Sequence, residues 1–273
     1  MPRTNKRPDA IIRVRGLEKT FGDMTAVKSI SFAVKRGEIL AFLGPNGAGK
    51  TTTIKMLTTI LRPTKGEIVI DGHDALKDQH AARASFGIVF QDPSTDDELT
   101  ALENMELHGV LYGVPRKERR ERIERLLKMV DLWDRKDSLA KTFSGGMKRR
   151  LEIARGLLHS PKVLFLDEPT AGLDPQTRNK MWEYLQDLNK KQGITIFFTT
   201  HYLEEAQKAA TAVAIIDRGT IVAQGTSSEL IRKAKVKTLE AAFLKLTGHG
   251  IRADEATSMD TLRLQRRAWG GKR

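Results

Sequence analysis

Hydrophobic positions fall into three regimes along the chain. In the first, apolar residues come in short runs. Residues 11–14 (Ile-Ile-Arg-Val) and 30–34 (Ile-Ser-Phe-Ala-Val) read as short strands, and Ile39–Leu43 is the continuous apolar run expected of a strand buried on both faces. A glycine-rich turn follows, then a helix predicted from Lys50 to about Leu61. Pro63–Gly66 reads as a turn, Glu67–Ile70 as a strand closed by Asp71-Gly72, and Phe86–Phe90 as another apolar strand. In the second regime, from 95 to 160, the period becomes helical. Arg116–Trp133 places Ile123, Leu126, Leu127 and Val130 at helical spacing among Arg, Lys and Glu.

The third regime returns to α/β. Val163–Leu166 reads as a buried strand. Asp174-Pro175 opens a helix, with Asp as N-cap and Pro at the first helical position, and Gly193 stops it. Ile194–Thr199 is the next strand. Ala212–Ile216 and Thr220–Val222 flank the hairpin signal Asp217-Arg218-Gly219. A short helix follows residue 226, and Thr238–Leu246 is an amphipathic segment closed by Gly248. There is no solenoid-type repeat and no low-complexity tract.

Composition narrows the chemistry. The 273 residues contain no cysteine, which excludes disulfides, thiolate metal sites, iron–sulfur clusters and cysteine nucleophiles. The longest uncharged runs, such as Ile39–Gly49, contain Gly and Pro and fall well short of the roughly 20 apolar residues of a membrane span. The basic start, Met1–Arg7, is followed by no apolar signal core, so the expectation is a soluble, cytoplasmic chain. Lys and Arg number 47 against 34 Asp and Glu, a formal net charge of +13. That surplus points to an anionic partner (nucleotide, nucleic acid or lipid surface) or serves solubility alone. The run Arg116–Arg122 reads as a solvated helix face, because acidic residues interrupt it and no aromatics interleave.

Two motifs carry chemistry. Gly44-Pro45-Asn46-Gly47-Ala48-Gly49-Lys50-Thr51-Thr52 matches G-x-x-x-x-G-K-S/T between a buried strand and a helix, the context a phosphate-binding loop requires. Its glycines let backbone N–H groups converge on phosphate oxygens at a helix N-terminus. Lys50 would reach the β- and γ-phosphates of a nucleotide, and Thr51 would offer a hydroxyl to Mg²⁺. The second motif ends the strand Val163–Leu166 in Asp167-Glu168. Asp167 suits the Mg²⁺ shell, and Glu168 suits orienting or deprotonating an attacking water.

Between them lies Phe143-Ser144-Gly145-Gly146-Met147, which resembles the signature L-S-G-G-Q of ATP-binding cassette (ABC) ATPases. Glu168–Pro175 resembles that family's acidic strand end and D-loop. The resemblance spans roughly residues 11–225. It implies an α/β fold: a P-loop NTPase (RecA-like) core with an N-terminal antiparallel β subdomain and an inserted α-helical subdomain. The expected division is an ATPase domain over 1–235, its helical subdomain at about 92–160, and a small basic C-terminal tail over 236–273. Two cassettes would pair head to tail, each ATP lying between one chain's phosphate loop and the other's Ser144, Gly145 and Gly146. Gln91 resembles the Q-loop glutamine that touches Mg²⁺ or water, and His201 resembles the switch histidine at the γ-phosphate. Asp174 resembles the family's dimer-interface aspartate, with a purely structural role as helix N-cap as the alternative. Phe21 resembles the aromatic that stacks on adenine, with a core Phe as the alternative. Phe143 and Met147 depart from the signature's Leu and Gln.

Within the family, residues 91–100, 108–113 and 239–248 resemble the drug- and polysaccharide-exporter branch, the daunorubicin-resistance type. That implies an energy-coupling subunit, peripheral on the cytoplasmic face of the membrane, working with a separate polytopic permease subunit and exporting a drug-like or other hydrophobic compound. The basic surplus would suit an anionic lipid surface. The alternative is a soluble cassette ATPase acting on nucleic acid or ribosomes. The single cassette and the interval of only 53 residues from Gln91 to Ser144 disfavour it.

Overall fold

The computed structural model describes residues 10–248. Two sheets organise it. β1 (Ala10–Phe21), β2 (Met24–Lys35), β4 (Lys65–Ile70) and β5 (His73–Asp74) form an antiparallel sheet in the order β2-β1-β4-β5. β3 (Ile39–Leu43), β6 (Phe86–Val89), β7 (Val163–Asp167), β8 (Thr195–Thr200), β9 (Ala212–Asp217) and β10 (Thr220–Gly225) form the second, in the order β10-β9-β3-β8-β7-β6. All its pairings are parallel except the β9–β10 edge hairpin.

The central strands are apolar throughout because both faces are covered. On β3, Ile39, Ala41 and Leu43 join the core shared with the helices, whereas Leu40 and Phe42 face the core shared with the antiparallel sheet. β8 repeats the alternation, with Ile196 and Phe198 on one side and Phe197 on the other. Phe197 meets Phe42 at 5.4 Å and Phe165 at 5.6 Å between ring centroids, and Phe32 of β2 closes on Phe42 at 5.7 Å. This aromatic cluster joins the two sheets. Each such ring contributes about 1.5–3 kcal/mol by its burial.

The helices are α1 (Lys50–Leu57), α2 (Gln79–Ala84), α3 (Ala101–Leu111), α4 (Arg116–Met129), α5 (Gly145–Leu157), α6 (Pro175–Gln192), α7 (Leu203–Ala209), α8 (Ser227–Ala234) and α9 (Leu239–Thr247). α3, α4 and α5 form the helical insertion between β6 and β7, packing through Met105, Ile123, Leu127 and Leu151. None of the helices among the described residues is long and apolar enough to cross a membrane.

Several boundaries differ from the sequence expectation. β1 is twelve residues long rather than four: Arg13 and Arg15 alternate with inward Ile12 and Val14, and register shifts beyond Val14 carry the strand on past the inward Leu17 to Phe21. α1 ends at Leu57, four residues early: Thr59 adopts φ 62°, and Ile60 and Leu61 both donate to the Lys55 carbonyl. α2 and α7 are additional helices. α9 falls within the segment expected as a tail, yet Leu239 and Phe243 enter the helical-side core. Residues 249–273 of that segment lie outside the described residues.

Candidate active site

The phosphate loop runs from the C-terminal end of β3 into α1. Gly44 and Gly49 are glycines for steric reasons. A Cβ on Gly44 would meet the Ile216 carbonyl at 2.3 Å, and one on Gly49, which holds φ 103°, would meet the Ala26 carbonyl at 2.8 Å. Gly49 is the N-cap of α1 and supplies no side-chain cap, so the first-turn N–H groups face the loop.

Lys50 opens α1 and is only 4% exposed. Its ammonium donates to the carbonyls of Gly44 (2.9 Å) and Pro45 (3.1 Å) and stands 3.3 Å from Glu168 Oε1. Burial lowers the Lys50 pKa, and the Glu168 charge opposes that shift. On the other side of Glu168, His201 Nδ1 lies 3.2 Å from Oε2. Burial alone would raise the Glu168 pKa, but the His201 hydrogen bond and the Lys50 charge outweigh it and hold the carboxyl below its ordinary range. Glu168 therefore stands as a carboxylate between two cationic or hydrogen-bonding groups. Its backbone has φ 46°, a left-handed conformation that costs a side-chain-bearing residue about 1–3 kcal/mol.

Asp167 is 1% exposed and lies beneath this layer. Burial raises its pKa, partly offset by the Thr199 hydroxyl, which donates to Oδ1 at 2.6 Å. Thr51 Oγ1 approaches the same oxygen at 3.4 Å. Thr199 also accepts from the Glu168 N–H at 2.9 Å. It faces Asp167 directly in the parallel β7–β8 register. That pairing is invisible in the linear pattern, so Thr199 escapes a sequence reading. The donor set suits a hard cation: one carboxylate and one hydroxyl converge, and the described residues offer no cluster of three acidic or imidazole ligands. Mg²⁺ commonly takes one or two protein ligands and completes its shell with phosphate and water.

A cleft of about 530 Å³ brings together Phe21, Asn46, Gly47, Gly49, Lys50, Thr51, Thr52, Gln91, Glu168 and His201. Phe21 ends β1 at its rim, 44% exposed and outside both cores, with the Lys19 ammonium 5.0 Å from its ring centre. Gly44, Pro45, Ala48 and Asp167 are buried and do not line the cleft. Ser144, Gly145, Gly146 and Asp174 are elsewhere. Ser144 caps α5 by accepting from Met147 N–H at 3.3 Å, and with Gly146 it lines a separate hollow of about 130 Å³ beside Arg150, Thr177 and Tyr184. Asp174 caps α6 through the N–H groups of Gln176 (3.1 Å) and Thr177 (3.0 Å) and binds the Thr177 hydroxyl at 2.6 Å. The two unusual signature residues are packing residues: Phe143 is buried and Met147 rests against the same core.

One face of α5 grips the loop after β6. Arg149 donates to the carbonyls of Phe90 and Gln91, the latter at 3.1 Å, and pairs with Glu152 at 3.2 Å. Glu152 accepts from Ser94 N–H at 2.5 Å and from its hydroxyl at 3.0 Å, and Arg155 donates to the Ser94 carbonyl at 2.6 Å. These three residues escape a sequence reading as well. Their three-residue spacing is the only trace, and it resembles any polar helix face.

The profile of the ABC transporter family matches residues 27–171. The chain belongs to the ABC transporter family. The daunorubicin resistance ATP-binding protein DrrA3 of Streptomyces coeruleorubidus is 39% identical over 258 residues, which is 90% of this chain and 81% of that protein. The Nod factor export ATP-binding protein I of Ralstonia nicotianae is 42% identical over 221 residues, 81% of this chain and 68% of that one. Among solved structures, an ATP-binding subunit of an ABC transporter superposes with a TM-score of 0.79 at 30% identity, covering 86% of this chain and 99% of its own. The dimeric cassette MJ0796, bound to ADP and Pi in a post-hydrolysis state, gives 0.71 at 29% identity over 79% of this chain and 98% of its own. The ABC cassette fold expected from the sequence is thus present, and the protein is an ATP-binding, ATP-hydrolysing subunit of this family. These relatives lend the nucleic-acid alternative no support.

Proposed function

We propose that this ATPase powers an exporter of a drug-like or other hydrophobic compound through a separate membrane subunit, and that the cleft around Lys50 is where ATP is cleaved. In this reading Phe21 stacks on adenine. The loop Gly44–Thr52 cradles the phosphates through backbone N–H groups, and Lys50 exchanges its two carbonyl partners for phosphate oxygens. Thr51, Gln91 and Asp167 would hold Mg²⁺, which supplies charge neutralisation at the β- and γ-phosphates. Glu168 orients the attacking water and takes its proton, and His201 steadies Glu168 and contacts the γ-phosphate.

The observation that carries the reading is the linked row Lys50–Glu168–His201 above a phosphate loop at the end of a parallel sheet. The second observation is the separation of Ser144–Gly146 from that cleft, which fits a site completed by the signature of another copy. Residues of about 92–160 then act as the helical subdomain that carries the signature. On it, Leu107, Val110 and Leu111 form one exposed apolar face of α3, the helix that follows the loop gripped by α5, with Leu111 74% exposed. Such a face suits a short helix of the membrane partner.

The test is fractionation in the native host. With the membrane partner co-expressed, the chain is expected in the membrane fraction, and without it in the supernatant. Equal membrane association in both conditions contradicts the reading.

A further inference from the structure

Glu205 lies on α7, four residues after His201 and outside every motif discussed above. It is 4% exposed. A carboxylate so placed costs stability unless its oxygens are satisfied. They are satisfied by two hydroxyls, one at the end of β8 and one in the turn after β7. Oε2 accepts from Thr200 Oγ1 at 2.7 Å, and Oε1 accepts from Thr170 Oγ1. Arg178 of α6 brings Nε to 3.6 Å of Oε1 and lays its guanidinium over the Tyr202 ring, 4.6 Å from the centre. The Thr200 hydroxyl in turn accepts from Tyr202 N–H at 2.9 Å. The chain on both sides of His201 is therefore fixed to Glu205, and so is Thr170, two residues beyond Glu168.

The sheet does not make this join. The β7–β8 ladder ends at Asp167 opposite Thr199. Past that point the two chains diverge into loops, yet Glu168 and His201 meet at 3.2 Å. Glu168 also holds a strained backbone, which persists only where surrounding contacts over-determine it. An acceptor-only group suits this position, because a carboxylate takes both hydroxyls and the guanidinium without presenting a competing donor.

We propose that Glu205 is a positioning residue for hydrolysis, a buried brace between Thr170 and Thr200 that sets the Glu168–His201 contact. The inference rests on the assignment of Glu168 and His201 as hydrolytic groups. Glu205 acts through the two threonines.

The test is a double-mutant cycle of Glu205→Ala and His201→Ala. Single-turnover hydrolysis of γ-labelled ATP is followed for all four proteins, together with kcat, KM and the affinity for a fluorescent ATP analogue with Mg²⁺. Glu205→Ala is expected to lower kcat about 10- to 100-fold, the effect of a small misplacement of reacting groups, with nucleotide affinity nearly unchanged. In the His201→Ala background it is expected to lower turnover by less than about twofold, since the contact it sets is already gone. A merely structural role would cost the same factor in both backgrounds, and that result overturns the proposal. Equal loss of affinity and turnover also overturns it. Near-normal turnover of His201→Ala would overturn the site assignment itself, a distinguishable failure. Should Glu205→Ala not fold, Thr200→Val carries the same cycle. It keeps the strand shape while removing one arm of the brace, and the same outcomes decide.

Discussion

At the scale of single residues, the site is an arrangement of one carboxylate between two partners. Glu168 stays ionised because the His201 hydrogen bond and the Lys50 charge overcome its burial. Glu168→Gln keeps the shape and removes the proposed base. ATP binding is expected to persist while kcat falls about 10²–10⁴-fold, the usual worth of a positioned general base. Steady-state ATPase assays beside nucleotide titration check this, and near-normal turnover would remove Glu168 from the role. Lys50→Ala should fail differently. Losing the phosphate contact weakens ATP affinity as well as turnover, so an unchanged titration curve would contradict that assignment. Lys50 with Thr51, and separately Asp167 with Glu168, were legible in the sequence because each pair belongs to a short motif at the end of an apolar strand. Thr199, Arg149, Glu152 and Glu205 were not. Each acts on a residue 30 or more positions away, and only the folded register brings the partners together.

Elements were legible where their pattern is long or punctuated. Asp174-Pro175 and Gly193 bracket α6 as expected, with Gly193 at φ 66°. Ile39–Leu43 and the other buried strands show themselves as apolar runs. α2 and α7 were hidden because six or seven residues hold too few turns for a periodic signal. α3 adds a pH-dependent feature. His108 is half-buried against Tyr112 and pushed down to about 3, by burial first and then by the charges of Arg155 and His159. The folded chain thus holds it neutral, while the unfolded chain protonates it near 6.5. The unfolded state gains protons first, so this residue's contribution is complete above about pH 6.5 and is lost as the pH falls through 6.5 towards 3. Urea midpoints at pH 7.5 and 5 are expected to fall further for the wild type than for His108→Leu. Burial also lowers the pKa of His159, which both proteins retain, so the comparison isolates His108. Equal falls in the two proteins would contradict this role for His108.

For the whole molecule, the proposed function turns on two separate surfaces. The cleft carries the phosphate loop, Glu168 and His201. The hollow at Ser144 and Gly146 carries the N-terminus of a thirteen-residue helix and lines a different part of the surface. The apolar face at Leu107, Val110 and Leu111 lies on that same helical insertion. On the proposed reading, binding of ATP between two copies would move the apolar face proposed for the membrane partner, because α5 grips the loop after β6 through Arg149, Glu152 and Arg155. The most direct measurement uses the absence of native cysteine. One preparation carries Asn46→Cys and another Ser144→Cys, both with Glu168→Gln to slow hydrolysis. They are mixed with a short bis-thiol cross-linker, with and without ATP and Mg²⁺. The expected product is a cross-linked pair joining one preparation to the other, formed only with ATP. ATP binding without any such cross-link would contradict the claim that two copies complete the site.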